Sequence, residues 1–257
     1  MKNKVKLIIS LSLAIVSLMP IAAQKTSDTD FELITENREL PPFEGINVSG
    51  RFKIVLYQHD VQTVSATVPE KFVETVETKV ENNILYINML DLTKEKEGNI
   101  LENLKIKYND YLLRQPIEIK IGIPDLKSIY AKGATRIESQ GALIINNLTI
   151  ELSGASKAEL NANIANSLNT SLSEATKIDI HGKVENISVK ANGASSFNGS
   201  KLIAKNAKLD LNGAARAEVH ATESFDANLN GATKAVCTGS PKSVKQVVSR
   251  GSSMTIK

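Results

Sequence analysis

Apolar and polar residues alternate through most of the second half of the chain. Leu148, Ile150 and Leu152 interleave with Thr149, Glu151 and Ser153, and Ala158 and Leu160 with Lys157 and Glu159. Ile187, Val189 and Ala191 lead to Gly193 in the same way, and Leu209 and Leu211 to Gly213. A period of two is the signature of a strand with one dry face. No face gathers apolar residues three and four apart, as a helix would need.

The alternation is punctuated by a repeated turn, Gly-Ala-Ser/Thr-basic-apolar-acidic. It begins at Gly133, Gly154, Glu174 (in the place of Gly), Gly193, Gly213 and Gly231, with a decayed copy at Gly251. Successive starts are 21, 20, 19, 20, 18 and 20 residues apart. Two short strands per coil of about 20 residues predict a parallel β-solenoid, right-handed by the crossover rule, of about six or seven coils. Gly supplies backbone freedom at the bend, so the copy with Glu174 is expected to have an altered turn. The Ala after it (Ala134, Ala155, Ala175, Ala194, Ala214 and Ala232) is expected where coils approach closely. Ile137, Ala158, Ile178, Phe197, Ala217 and Ala235 should point inward, followed two residues later by Leu160, Ile180, Val219 and Cys237. Outward, Arg136, Lys157, Lys177, Arg216 and Lys234 form a basic file, with Glu138, Glu159, Asp179 and Glu218 in an acidic file beside it. Coils lie about 4.8 Å apart, so stacked like charges call for opposite charges alongside. The files can be a mutually neutralising solvated face or a ligand-binding strip. Asn192, Asn212 and Asn230 should stack as a ladder.

The first half follows other rules. Lys2, Lys4 and Lys6 precede an apolar run from Leu7 to Met19, then Pro20 and the small residues Ala22 and Ala23. This order predicts a signal peptide over residues 1–23, its 13-residue apolar stretch being short for a membrane span. Residues 24–40 read as a flexible lead-in. Residues 41–125 read as an amino-terminal β unit capping the solenoid of residues 126–257. Within that unit, Pro69 introduces a short helix near residues 70–76, Asn82-Asn83 marks a hairpin, and 91–115 is a charged insertion.

Composition narrows the function. Of 31 basic and 28 acidic residues, three Lys lie in the leader, so the mature chain carries 28 of each and no net charge. With 4% aromatic residues and no Trp, nucleic acid finds neither an electrostatic nor a stacking partner. No second long apolar run predicts a membrane span after leader removal. Cys237, the sole cysteine, cannot form an internal disulfide and falls in an apolar column. His59, His181 and His220 share no metal-ligand spacing. The last two should face outward two coils apart, roughly 10 Å, too far to share one zinc. GxSxG, P-loop and Rossmann patterns do not occur, and no cofactor is expected.

Phe43-Glu44-Gly45-Ile46-Asn47-Val48-Ser49-Gly50, with Gln58 closing the next strand, resembles the opening of the head GIN domain family, and the Gly-Ala-Ser/Thr repeats resemble that family's later part. The resemblance covers about residues 41–257. It implies an exported, β-rich protein of a kind common in Bacteroidota, labelled "putative auto-transporter adhesin" and without an established activity. A membrane barrel is not expected after residue 257, and the reading therefore departs from self-translocating autotransporters. The expectation is a periplasmic or cell-surface, non-catalytic binding module. Its partner would be a glycan or a protein, and Arg136, Lys157, Lys177, Arg216 and Lys234 are the candidate binding residues. Two alternatives are a polysaccharide lyase or hydrolase, which would need clustered carboxylates, and a structural envelope protein forming homo-oligomers through the solenoid end near 251–257.

Overall fold

The computed structural model describes residues 32–90 and 116–257. The expected leader over 1–23 and the charged insertion over 91–115 lie outside the described residues.

Strands follow one another as β1 (Leu33–Asn37), β2 (Gly45–Gly50), β3 (Phe52–Gln58) and β4 (Thr63–Pro69), then a 3-10 turn (Glu70–Thr75), β5 (Val76–Glu81) and β6 (Ile84–Met89). After residue 115 come β7 (Ile117–Ile123), β8 (Ser128–Gly133), β9 (Arg136–Ser139) and β10 (Leu143–Leu152). The long strands β11 (Lys157–Leu172), β12 (Lys177–Ala191), β13 (Ser196–Gly213) and β14 (Arg216–Gly231) follow, then β15 (Lys234–Thr238), β16 (Ser243–Val248) and β17 (Ser253–Ile256). Together they form a β-solenoid of about six turns with coils about 20 residues apart. The register of the long strands breaks along their length, as between Ile164 and Ser167 in β11, and one strand serves two ladders, β11 pairing with β9 and then with β10.

Pairing from β8 onward is parallel and follows the sequence. Leu152 pairs with Leu172, Val189 with Leu209, and Leu211 with Leu229. The first coils break that order. β2 lies between β6 and β8, and β3 between β7 and β9, all in parallel register. The coil made of β2 and β3 is thus inserted between a coil made later in the chain and the first repeat. Strands β2, β3, β6 and β7 therefore continue the stack, and buried side chains from Ile46 to Cys237 form one core. The capping is done by antiparallel strands: β5 closes β6, β4 closes β7, and β1 closes β4. Strand β1 occupies the last part of the expected lead-in. Its Thr35 hydroxyl meets that of Thr67 at 2.9 Å, and Arg38 just beyond it bonds Glu36 at 2.8 Å. The expected hairpin turns at Asn82 and Asn83, both at positive φ (51° and 60°), as a primed two-residue turn requires.

The inward columns lie where the alternation places them. Ile137, Ala158, Ile178, Phe197, Ala217 and Ala235 are buried, as are Leu160, Ile180, Val219 and Cys237. Burial pushes the Cys237 thiol up, away from the reactive thiolate. The turn differs from expectation in two ways. The repeated Ala is exposed, and close approach occurs at the glycine instead. A Cβ on Gly154 would stand 2.6 Å from the carbonyl oxygen of Gly133, one coil away. The Ala contributes its N–H to the same contact, Ala155 N to Gly133 O at 2.7 Å and Ala175 N to Gly154 O at 3.0 Å. The Ser or Thr that follows is buried and closes the turn, as Ser195 Oγ does on Asn192 O at 2.9 Å.

Glu174 does not alter its turn. It takes φ of 65°, close to the 75° of Gly154 and 73° of Gly193, because the ladders on both sides hold the backbone there. A side chain in that region costs about 1–2 kcal/mol. Part of the relief on removing it is offset by the freer unfolded chain. Glu174→Gly is therefore expected to stabilise the protein by about 1 kcal/mol, read as a rise in the urea midpoint. A lower midpoint would show that the carboxylate makes a compensating contact.

Candidate functional site

The basic file is a continuous register line. Lys53 pairs with Arg136, Arg136 with Lys157, Lys157 with Lys177, Lys177 with Ser196, Ser196 with Arg216, and Arg216 with Lys234. All five expected residues are brought together on one ladder and are exposed. Ser196 interrupts the line between Lys177 and Arg216. Two residues further along, from β9 to β14, runs the line Glu138, Glu159, Asp179, Asn198 and Glu218, acidic except at Asn198.

Neutralisation between the two lines is partial, contrary to the reading of mutually compensating files. Lys53 bonds Glu138 at 2.8 Å and Glu118 at 3.1 Å, and Lys177 bonds Asp179 at 2.7 Å. The Glu138 hydrogen bond, followed by that of Glu118, holds the Lys53 ammonium above the ordinary lysine value. Asp179 does the same for Lys177, with a smaller contribution from Glu159. Such pairing stabilises the fold below the lysine's unfolded pKa and is lost as pH rises through its higher folded value. Among the described residues, Arg136, Lys157, Arg216 and Lys234 have no carboxylate within ion-pair distance.

A surface cleft of about 350 Å³ opens at the start of the file, lined by Arg51, Lys53, Arg136 and Lys157, with the exposed Ala134 and Ala155 between them. No acidic residue lines it among the described residues. Lys53 and Arg51 were not anticipated from the sequence. The signal is there: Gly50-Arg51-Phe52-Lys53-Ile54 is a decayed copy of the turn, with basic and apolar residues at the repeat positions. Gly50 pairs with Gly133 and Ile54 with Ile137.

The Asn ladder forms in part. Asn230 Nδ2 reaches Asn212 Oδ1 at 3.4 Å, whereas Asn212 Nδ2 turns to Asp210 at 3.3 Å. His181 is exposed and His220 meets the Thr238 hydroxyl at 3.1 Å. Among the described residues no cluster of three His, Cys, Asp or Glu is placed to hold a metal, and no helix is long and apolar enough to cross a membrane.

A family model described as "Putative auto-transporter adhesin, head GIN domain" matches residues 42–241. The chain matches no curated protein. Its fold is similar to a solved putative adhesin of Bacteroides fragilis NCTC 9343, with TM-score 0.70 and 21% identity, covering 88% of this chain and 96% of that one. It is also similar to a putative lipid binding protein of Parabacteroides distasonis ATCC 8503, with TM-score 0.66, 17% identity and coverage of 89% and 98%. A putative adhesin of the same organism gives TM-score 0.59, 17% identity and coverage of 88% and 97%. Likeness at this identity speaks for the fold.

Proposed function

The chain belongs to the head GIN domain family, and from that premise we propose that it is an exported, adhesin-like binding protein without catalytic activity. It acts at the cell surface or in the periplasm, and its regular solenoid face contacts a glycan or a protein. The observation that carries this reading is the in-register line of exposed cations, of which Arg136, Lys157, Arg216 and Lys234 have no carboxylate partner among the described residues. A purely structural surface gains nothing from leaving stacked cations uncompensated, because like charges on neighbouring strands repel. A partner bearing negative charge removes that repulsion on binding.

Reversing three charges in the file, Lys157→Glu, Lys177→Glu and Arg216→Glu together, is expected to weaken attachment of the protein to glycan- or protein-coated surfaces by at least about tenfold at low salt. These side chains are exposed, so folding should survive, and a far-UV spectrum checks it. Unchanged attachment would return the file to a structural role.

A further inference from the structure

Resting on the binding role above, we propose that the basic file takes a linear acidic polysaccharide laid along the solenoid axis, held at two cationic doublets, Arg136 with Lys157 and Arg216 with Lys234. Lys53 and Lys177 are engaged by carboxylates, and Ser196 is neutral. The four cations left over fall into two pairs, each pair joined by direct register and so one coil step apart. The first pair lines the cleft of about 350 Å³. Counting along the register, the pair centres are four coils apart, about 19 Å at ~4.8 Å per coil.

The ligand must therefore be extended, carry repeated negative charge, and run across the strands. An extended acidic peptide presents same-side charges every two residues, about 6.6 Å, and so does not match the ~4.8 Å step between the two cations of a doublet. A nucleic acid strand needs aromatic platforms for its bases, and the two residues preceding each of these cations are Ala, Ser or Thr. The exposed Ala134, Ala155, Ala214 and Ala232 instead leave a shallow, weakly apolar margin on which a sugar ring can rest. Glu138, Glu159 and Glu218, two residues along from Arg136, Lys157 and Arg216, repel a polyanion from the opposite side. The ligand is thus confined to the alanine margin and excluded from the middle of the sheet.

The test uses the full chain and three probes of matched length: polygalacturonate, a neutral glucan and poly-glutamate. Titration calorimetry is run at two salt concentrations. Polygalacturonate should bind, with affinity falling steeply as salt rises, and the other two should bind at least about tenfold more weakly. Arg136→Ala with Lys157→Ala, and Arg216→Ala with Lys234→Ala, should each cost about tenfold. An oligomer too short to span the doublets should lose the advantage of holding both. Lys205→Ala with Lys242→Ala removes cations paired to Glu185 and Glu223 elsewhere on the surface and should leave affinity unchanged. Equal losses in that control, or poly-glutamate binding as well as the glycan, would overturn the doublet model. Attachment to the neutral glucan or a protein surface without polygalacturonate binding would overturn this inference and leave the adhesin reading standing. Binding in no arm would overturn this inference, and the adhesin reading would then be decided by the surface-attachment assay above.

Discussion

Gly182→Ala should lower the stability of the fold by about 3–4 kcal/mol, among the largest losses available from adding one methyl group. Gly182 sits in β12 at φ of 129°, outside the regions open to a side chain, and a Cβ there would stand 2.1 Å from the carbonyl oxygen of Ala162 in the preceding coil. That oxygen belongs to a backbone held in register by the ladders on either side, so it cannot step back alone. Gly141→Ala is the internal comparison. Gly141 also has positive φ (84°), but a Cβ there meets nothing within 4 Å. It should cost about 1 kcal/mol, the conformational part alone. Urea unfolding followed by circular dichroism separates the two. Equal losses would show that coil contact at Gly182 adds nothing.

Phe197→Ala should cost about 3–5 kcal/mol. Phe197 is buried in a column that reads Ile54, Ile137, Ala158, Ile178, Phe197, Ala217 and Ala235 from coil to coil. Its ring takes space beside Ala217 and over Gly199, where a Cβ would come within 2.7 Å of the ring. Small neighbours thus accommodate one large side chain, and the stacked backbones cannot collapse into the void left by its removal. Phe197→Leu keeps most of the volume and should cost less than about 1.5 kcal/mol. Thermal unfolding of the two variants checks the difference. Similar midpoints would mean that the column relaxes freely.

Much of this was legible in the residues. The spacing of the turns gave the solenoid, and the alternation assigned Ile178, Leu211 and Cys237 to the interior, because a strand offers only two faces. The same parity assigned the basic residues to one outward line. What escaped were matters of spatial partnership. Ala155 reads as the residue of close approach because it is small, yet the positive φ of Gly154 turns the glycine toward the neighbouring coil and the alanine away. Glu174 reads as a broken turn because local preference is weighed without the two ladders that override it. Lys53 was missed because its copy of the turn has lost the Ala. β1 was missed because Leu33 and Ile34 are too few apolar residues to announce an edge strand. Ion pairing within the file depends on side-chain reach, which periodicity does not encode.

The inserted position of β2 and β3 also dictates how the molecule can be made. Residues 45–58 leave the ribosome before the strands that flank them exist. They must wait for β6, β7 and then β8 before any coil is closed on both sides. That opening event is concerted and rests on distant contacts, the slow kind. From β10 onward each new coil lays itself on a finished edge, one step at a time. Assembly of this protein should therefore have a single slow start and a fast, one-directional growth, and lesions in the early strands should delay it far more than equal lesions in the later coils.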